Sequence, residues 1–141
     1  MIAELTKQLR RDEGECLHAY SDTLGFLTIG VGRLIDARKG GEISENESAY
    51  LLKNDIDRVI RSLVTRLPWF TLMDEARKGV LANMAFQMGV DGLMGFRKML
   101  DCVQAGDYAG AAHEMVQSRW AKQTPERAMR LVAQMHEGRW K

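Results

Sequence analysis

Glu13 to Arg33, EGECLHAYSDTLGFLTIGVGR, is the stretch on which the reading of this chain turns. Gly14 is placed to end a preceding helix, on which Ile2, Leu5 and Leu9 share one face. Cys16 to Tyr20 reads as an extended run, Ser21-Asp22-Thr23-Leu24-Gly25 as a polar turn, and Phe26 to Val31 as a second extended run. The segment is therefore a hairpin or small sheet, with Glu13, Asp22 and Thr28 gathered around it. Two carboxylic groups flanking a sugar bond are the minimal equipment for glycoside hydrolysis.

Each of these residues also has a plain structural explanation. Glu13 is an acid at a helix end. Asp22 is a turn residue that bonds its own backbone. Thr28 is a β-former. Gly30 and Gly32 read as bulges or sites of close backbone approach. One physical point favours chemistry at Glu13: the negative end of the helix dipole, and any burial, disfavour the ionised form, as a general acid requires. Arg10 and Arg11 act in the opposite sense, so the sequence leaves the direction open.

Outward from this stretch, Asp36 to Glu42 is a loop containing a Gly pair. Ser44 and Glu47 have capping-box spacing, and Ala49, Leu52, Ile56, Val59, Ile60 and Leu63 trace a helical stripe closed by Pro68. The pattern predicts further helices over 71–88, with Gly89 as stop, and 96–105, ended by Gly106. Asp91 to Gly95 reads as a turn. Asp107 caps a helix expected to reach about Lys122, and Thr124-Pro125 opens a last one to about Glu137. The expected class is α+β, mostly helical. A β lobe over about 12–43 and a joining helix over about 44–66 lead to a helical lobe over about 70–141, packed with helix 2–11.

Composition narrows the alternatives. The 141 residues suit one domain able to bury a core without staples. With 45% hydrophobic and 28% charged residues the chain reads as folded rather than disordered. A net charge of +1 and the lack of a basic recognition helix argue against a nucleic-acid binder. From His113 to Lys141, six Lys/Arg against three Glu make the C-terminal segment locally basic. Cys16 and Cys102 are expected as reduced thiols, with a long-range disulfide as the minor alternative. Neither they nor His18, His113 and His136 have metal-ligand spacing, so neither metal nor cofactor is expected. No apolar run has the length of a signal peptide core or a membrane span, so no stable membrane insertion is expected. Met84, Met88, Met94, Met99, Met115, Met129, Met135 and Trp120 are assigned to the core.

The residues also carry a resemblance. Leu-Arg-Arg-Asp-Glu-Gly (9–14), Tyr-Ser-Asp-Thr-Leu-Gly (20–25) and Thr-Ile-Gly-Val-Gly-Arg (28–33) resemble the catalytic segment of the phage-type lysozymes, the muramidase endolysins of tailed phages. Lys53 to Asp57 resembles the family's joining helix, Asn83 to Gly89 its central helix, and Gly95-Phe96 its turn into the next helix. Ser118-Arg119-Trp120, Gln123-Thr124-Pro125 and Arg127-Ala128 resemble its C-terminal signature. The resemblance implies Glu13 as general acid, Asp22 as second carboxylate and Thr28 as the hydroxyl that places the attacking water. It implies Leu34, Phe86, Gln87 and Arg119 as glycan-contacting positions. It also implies an inverting, cofactor-free monomer acting on peptidoglycan, held in the host bacterial cytoplasm until a holin-like protein releases it. The commonest family version has His where this chain has Arg33. The expectation is that Arg33 pairs with Asp55. The rival readings are a chitin-type glycan substrate and a catalytically silent cell-wall-binding module of the same fold.

Overall fold

The computed structural model describes residues 1–141 except the side chain of Leu5, so that member of the expected apolar stripe lies outside the described residues. The chain divides into two compact units, Met1–Leu51 and Leu52–Lys141. The boundary falls inside one continuous helix, α2 (Glu45–Arg66).

The first unit opens with α1, Ile2–Glu13. Gly14 ends it at φ 76°, its N–H donating to the Arg10 carbonyl. A three-stranded antiparallel sheet follows in the order β1 (Cys16–Ser21), β2 (Leu27–Gly30), β3 (Arg33–Leu34). Tyr20 faces Thr28 and Ser21 faces Leu27, while an irregularity shifts the register before Cys16 meets Gly30. Thr28 also faces Leu34, and Ile29 faces Arg33, so Thr28 sits on the middle strand. The extended run read from Phe26 to Val31 is thus shorter than expected. Gly30 and Gly32, at φ 67° and 69°, turn the chain into a third strand that the alternation did not separate.

A 3-10 turn, Ala37–Lys39, is capped by Asp36, whose carboxylate accepts from the Arg38 amide. The Arg38 guanidinium holds the Asp36 carboxyl down at about 2. The Ser44/Glu47 capping box forms in both directions: the Glu47 amide donates to Ser44 Oγ at 3.2 Å, and the Ser44 amide to Glu47 Oε2 at 2.8 Å. Arg33 does not pair with Asp55. Its guanidinium grips Glu47, at 2.9 Å and 3.2 Å, and the Glu42 carbonyl, at 3.1 Å, whereas Asp55 takes Arg58 one turn along its own helix. Asp55 lies eight residues beyond Glu47 on α2, about 12 Å along the axis. Glu47, whose carboxylate is already oriented by its cap bonds, takes the arginine.

The second unit is helical: α3 (Glu75–Met94), α4 (Arg97–Gln104), α5 (Tyr108–Val116), α6 (Arg119–Gln123) and α7 (Pro125–Glu137). Asp74 starts α3 by accepting from the Arg77 amide, three residues later than the pattern suggested, because Phe70–Leu72 forms a separate 3-10 turn. Gly89 breaks α3 as expected, at φ 79° and ψ 157°. The chain then resumes helical geometry to Met94, where a simple turn was expected. The helix expected from Asp107 to Lys122 is two helices, because the Ser118 hydroxyl caps α6 by accepting from the Ala121 amide. Thr124 precedes Pro at the first position of α7, yet its hydroxyl donates back to the Trp120 carbonyl rather than capping α7.

The core lies in this unit. Leu63, Val80, Leu81, Leu93, Met84, Met99, Met115 and Met135 are essentially inaccessible. Each such side chain contributes roughly 1.5–3 kcal/mol relative to exposure. Trp120 is buried, edge-on to Phe96 at 6.3 Å. Met88 and Met94 pack partly buried against the cluster. Met129 is the exception at 63% exposed: it follows the buried Ala128 and falls on the outer face of α7. α7 packs on α3, α5 and α6. Arg77 joins α3 to the end of α7 by donating to the carbonyls of Met135 (2.7 Å) and His136 (2.9 Å), while lying 3.6 Å over the Tyr108 ring.

Candidate active site

Asp22 organises the β1–β2 turn. Its amide donates to the Phe26 carbonyl at 2.8 Å, and its own carbonyl accepts from Gly25 at 2.9 Å. Its Oδ1 accepts from the amides of Leu24 (2.9 Å) and Phe26 (2.8 Å). Both side-chain bonds fall on Oδ1, which leaves Oδ2 without a protein donor among the described residues. Asp22 is therefore a turn-builder and still presents a carboxylate oxygen for chemistry. The two readings of this residue do not exclude each other.

Thr28 is tied to the same point. It is buried, 3% exposed, and its Oγ1 donates to the Phe26 carbonyl at 3.1 Å. One carbonyl thus accepts from both the Asp22 amide and the Thr28 hydroxyl, and the strand register places Leu34 directly across from Thr28. Having donated its proton, the Thr28 hydroxyl keeps lone pairs that can accept from a water. Phe26 is the hub that residue-type reasoning passed over. Its ring is covered by Lys39, 4.3 Å from the centroid, and Arg38 at 5.5 Å, which pins the turn to the loop that follows.

Glu13 is the last residue of α1 and is exposed. Its carboxyl rests against Gly32 in the β2–β3 turn: a Cβ built on Gly32 would stand 3.3 Å from Glu13 Oε2. The reading of Gly32 as a site of close approach holds, and the group approaching it is the expected acid. Gly30 has no such neighbour and serves its backbone angle alone. The two arginines near Glu13 in sequence pair with other acids, Arg10 with Glu15 and Arg11 with Asp12. Glu13, Asp22, Thr28 and Leu34 thus belong to one hairpin system in the first unit.

The other expected glycan contacts lie in the second unit. Phe86 is half-exposed on α3, and Gln87 beside it accepts from the Trp120 indole N–H at 2.9 Å. Arg119 is exposed at the first position of α6, next to Trp120. Phe86 also lines an apolar groove of about 540 Å³ with Leu52, Ile56, Ile60, Ala82 and Trp140. The one carboxylate at that groove, Glu75, is paired with Lys78, so the groove lacks an acid pair for hydrolysis.

The phage lysozyme family model matches residues 10–136. The chain belongs to the phage lysozyme family. It is 34% identical, over 98% of its length, to "Probable T4-type lysozyme 2" of Dictyostelium discoideum, covering 96% of that protein. It is 32% identical over 84% of its length to the endolysin of Salmonella phage P22, covering 83% of it. It is 34% identical over 91% of its length to the pre-baseplate central spike protein Gp5 of Enterobacteria phage T4, of which it spans 27%. This lysozyme is accordingly a glycoside hydrolase of peptidoglycan with the lysozyme-like α+β fold.

Proposed function

We propose that this lysozyme is an endolysin that hydrolyses the β-1,4 bond between N-acetylmuramic acid and N-acetylglucosamine, and so lyses the host cell. The observations that support the proposal are Asp22 with Oδ2 unengaged and Thr28 sharing the Phe26 carbonyl with it at one turn of the small sheet, and the Glu13 carboxyl seated on Gly32 at the other. In this mechanism Glu13 protonates the leaving glycosidic oxygen. Asp22 acts from the opposite side on the anomeric carbon or its water, and Thr28 orients that water. The family resemblance supports an inverting course, in which an acid and a base work on opposite faces of the ring. Leu34, Phe86, Gln87 and Arg119 are the proposed glycan contacts.

The relatives bear different names, a probable T4-type lysozyme, an endolysin and a pre-baseplate central spike protein, and the endolysin likeness is what supports the host-lysis role. On that reading the enzyme is a monomer that stays in the host cytoplasm until a holin-like protein releases it to the wall. The test is a turbidity assay on bacteria stripped of outer membrane, wild type beside Glu13→Gln, with analysis of the sugar ends released. General acid catalysis contributes typically about 10²–10⁴-fold, so Glu13→Gln should be near inert. Reducing N-acetylmuramic acid ends should appear with the wild type alone. Folded wild-type protein that binds wall and releases no ends would instead identify a silent wall-binding module.

A further inference from the structure

The residue that departs from the usual family pattern does more than join two segments. We propose that Arg33 and Glu47 form a positioning pair for the Glu13 carboxyl, an inference that rests on Glu13 being the general acid.

The chain of contacts is short. Gly32 is the surface on which the Glu13 carboxyl rests, with Glu13 Oε2, Cδ and Cγ at 3.3, 3.6 and 3.7 Å from the position of an added Cβ. Gly32 has φ 69°, a backbone with few constraints of its own. What limits it is the next residue. Arg33 is held in β3 opposite Ile29, and its guanidinium forks onto both oxygens of Glu47, with the Glu42 carbonyl as a third acceptor. Glu47 is itself immobilised, because Oε2 also accepts from the Ser44 amide and its own amide is capped by Ser44 Oγ. The Ser44 amide and Arg33 together hold the Glu47 carboxyl below the usual carboxylate range, so the pair is fully charged at neutral pH. The seat of the acid is thereby anchored, through two adjacent residues, to the first turn of α2.

Both side chains are about half-exposed, Arg33 at 50% and Glu47 at 43%, and pairs of that exposure contribute little to global stability. A bidentate fork does fix geometry. Its loss should therefore loosen the Gly32 turn and the carboxyl upon it while leaving the fold intact, and a misplaced reacting group costs rate steeply.

The experiment measures kcat and KM on purified peptidoglycan, with melting temperature, for wild type, Arg33→Met, Arg33→Lys, Glu47→Gln and the Arg33→Met/Glu47→Gln double variant. Expected is a kcat lowered about five- to tenfold in Arg33→Met with KM changed by less than about twofold. Arg33→Lys should recover part of the loss, and the double variant should lose less than the two single losses combined. Glu13→Gln runs beside them. If wild type hydrolyses wall, Glu13→Gln does not, and Arg33→Met keeps wild-type kcat, only the positioning role falls. A loss confined to KM, a loss that tracks melting temperature through the series, or unfolding of even Arg33→Lys would overturn it in favour of a structural role. An inert wild type would remove the general-acid reading and this inference together.

Discussion

Gly30 and Gly32 provide a matched pair for testing whether the Glu13 carboxyl works where the structure puts it. Both have left-handed backbones, at φ 67° and 69°, and they sit two residues apart in one turn. They differ in surroundings. A Cβ on Gly30 meets nothing within 4 Å, while on Gly32 it stands 3.3 Å from Glu13 Oε2. Alanine at either position incurs the left-handed penalty of about 1–2 kcal/mol. For a chain of this size that corresponds to a melting-temperature loss of roughly 3–8 °C. The two variants should therefore be destabilised about equally. Only Gly32→Ala also displaces the acid, since 3.3 Å is tighter than ordinary van der Waals contact and the carboxyl must give by a few tenths of an ångström. We expect Gly32→Ala to lose a further factor of about ten in the rate of reducing-end release, measured well below both melting temperatures, while Gly30→Ala stays within about threefold of wild type. Equal activity losses in the two variants, or none in Gly32→Ala, would refute the placement of Glu13 against this turn.

Asp22→Asn retains an Oδ1 acceptor for the Leu24 and Phe26 amides, so thermal stability should be near normal while hydrolysis falls steeply; early melting with full specific activity would leave Asp22 as a turn residue only. Asp36 has its folded pKa depressed to about 2, so its charged-state contribution is present above the ordinary Asp value of 3.8 and is lost as pH falls through about 2. Asp36→Asn should accordingly lower the melting temperature at pH 5–7 (a range above both values), and the gap to wild type should close near the folded pKa; a gap independent of pH would contradict this. Arg77→Met should cost about 2–4 kcal/mol in denaturant unfolding, because it leaves two carbonyls at the end of α7 without their donor and removes the cation over Tyr108. A cost within that of an ordinary surface substitution would show that the end of α7 finds other donors.

The hairpin was legible because its determinants are local. Asp22 reaches amides two and four residues on, Ser44 and Glu47 are three apart, and Gly14, Gly89 and Gly138 adopt the positive φ that the ends and the break require. Such contacts follow from side-chain reach along a short backbone, so residue types at a spacing suffice to announce them. The family likeness then tied Glu13, Asp22 and Thr28 to roles that no single residue carries by itself. Two helix starts were legible in principle and went unread: Asp74 and Ser118 each cap an amide three residues on, within stretches whose apolar period ran on unbroken.

What the sequence alone determined, then, is the local frame: a small sheet built around an Asp-centred turn, capped and glycine-terminated helices, and the presence of two acids and a hydroxyl in one short segment. Only the tertiary structure decided which groups those residues meet. Arg33 takes Glu47, whose carboxylate also accepts from the Ser44 amide, and not the expected Asp55. Gln87 spends its carbonyl on the Trp120 indole, 33 residues away, and Met129 turns outward where an apolar residue suggested core. Partners distant along the chain are selected by the path of the backbone and by competition among equivalent groups, and neither is written in the spacing of residue types.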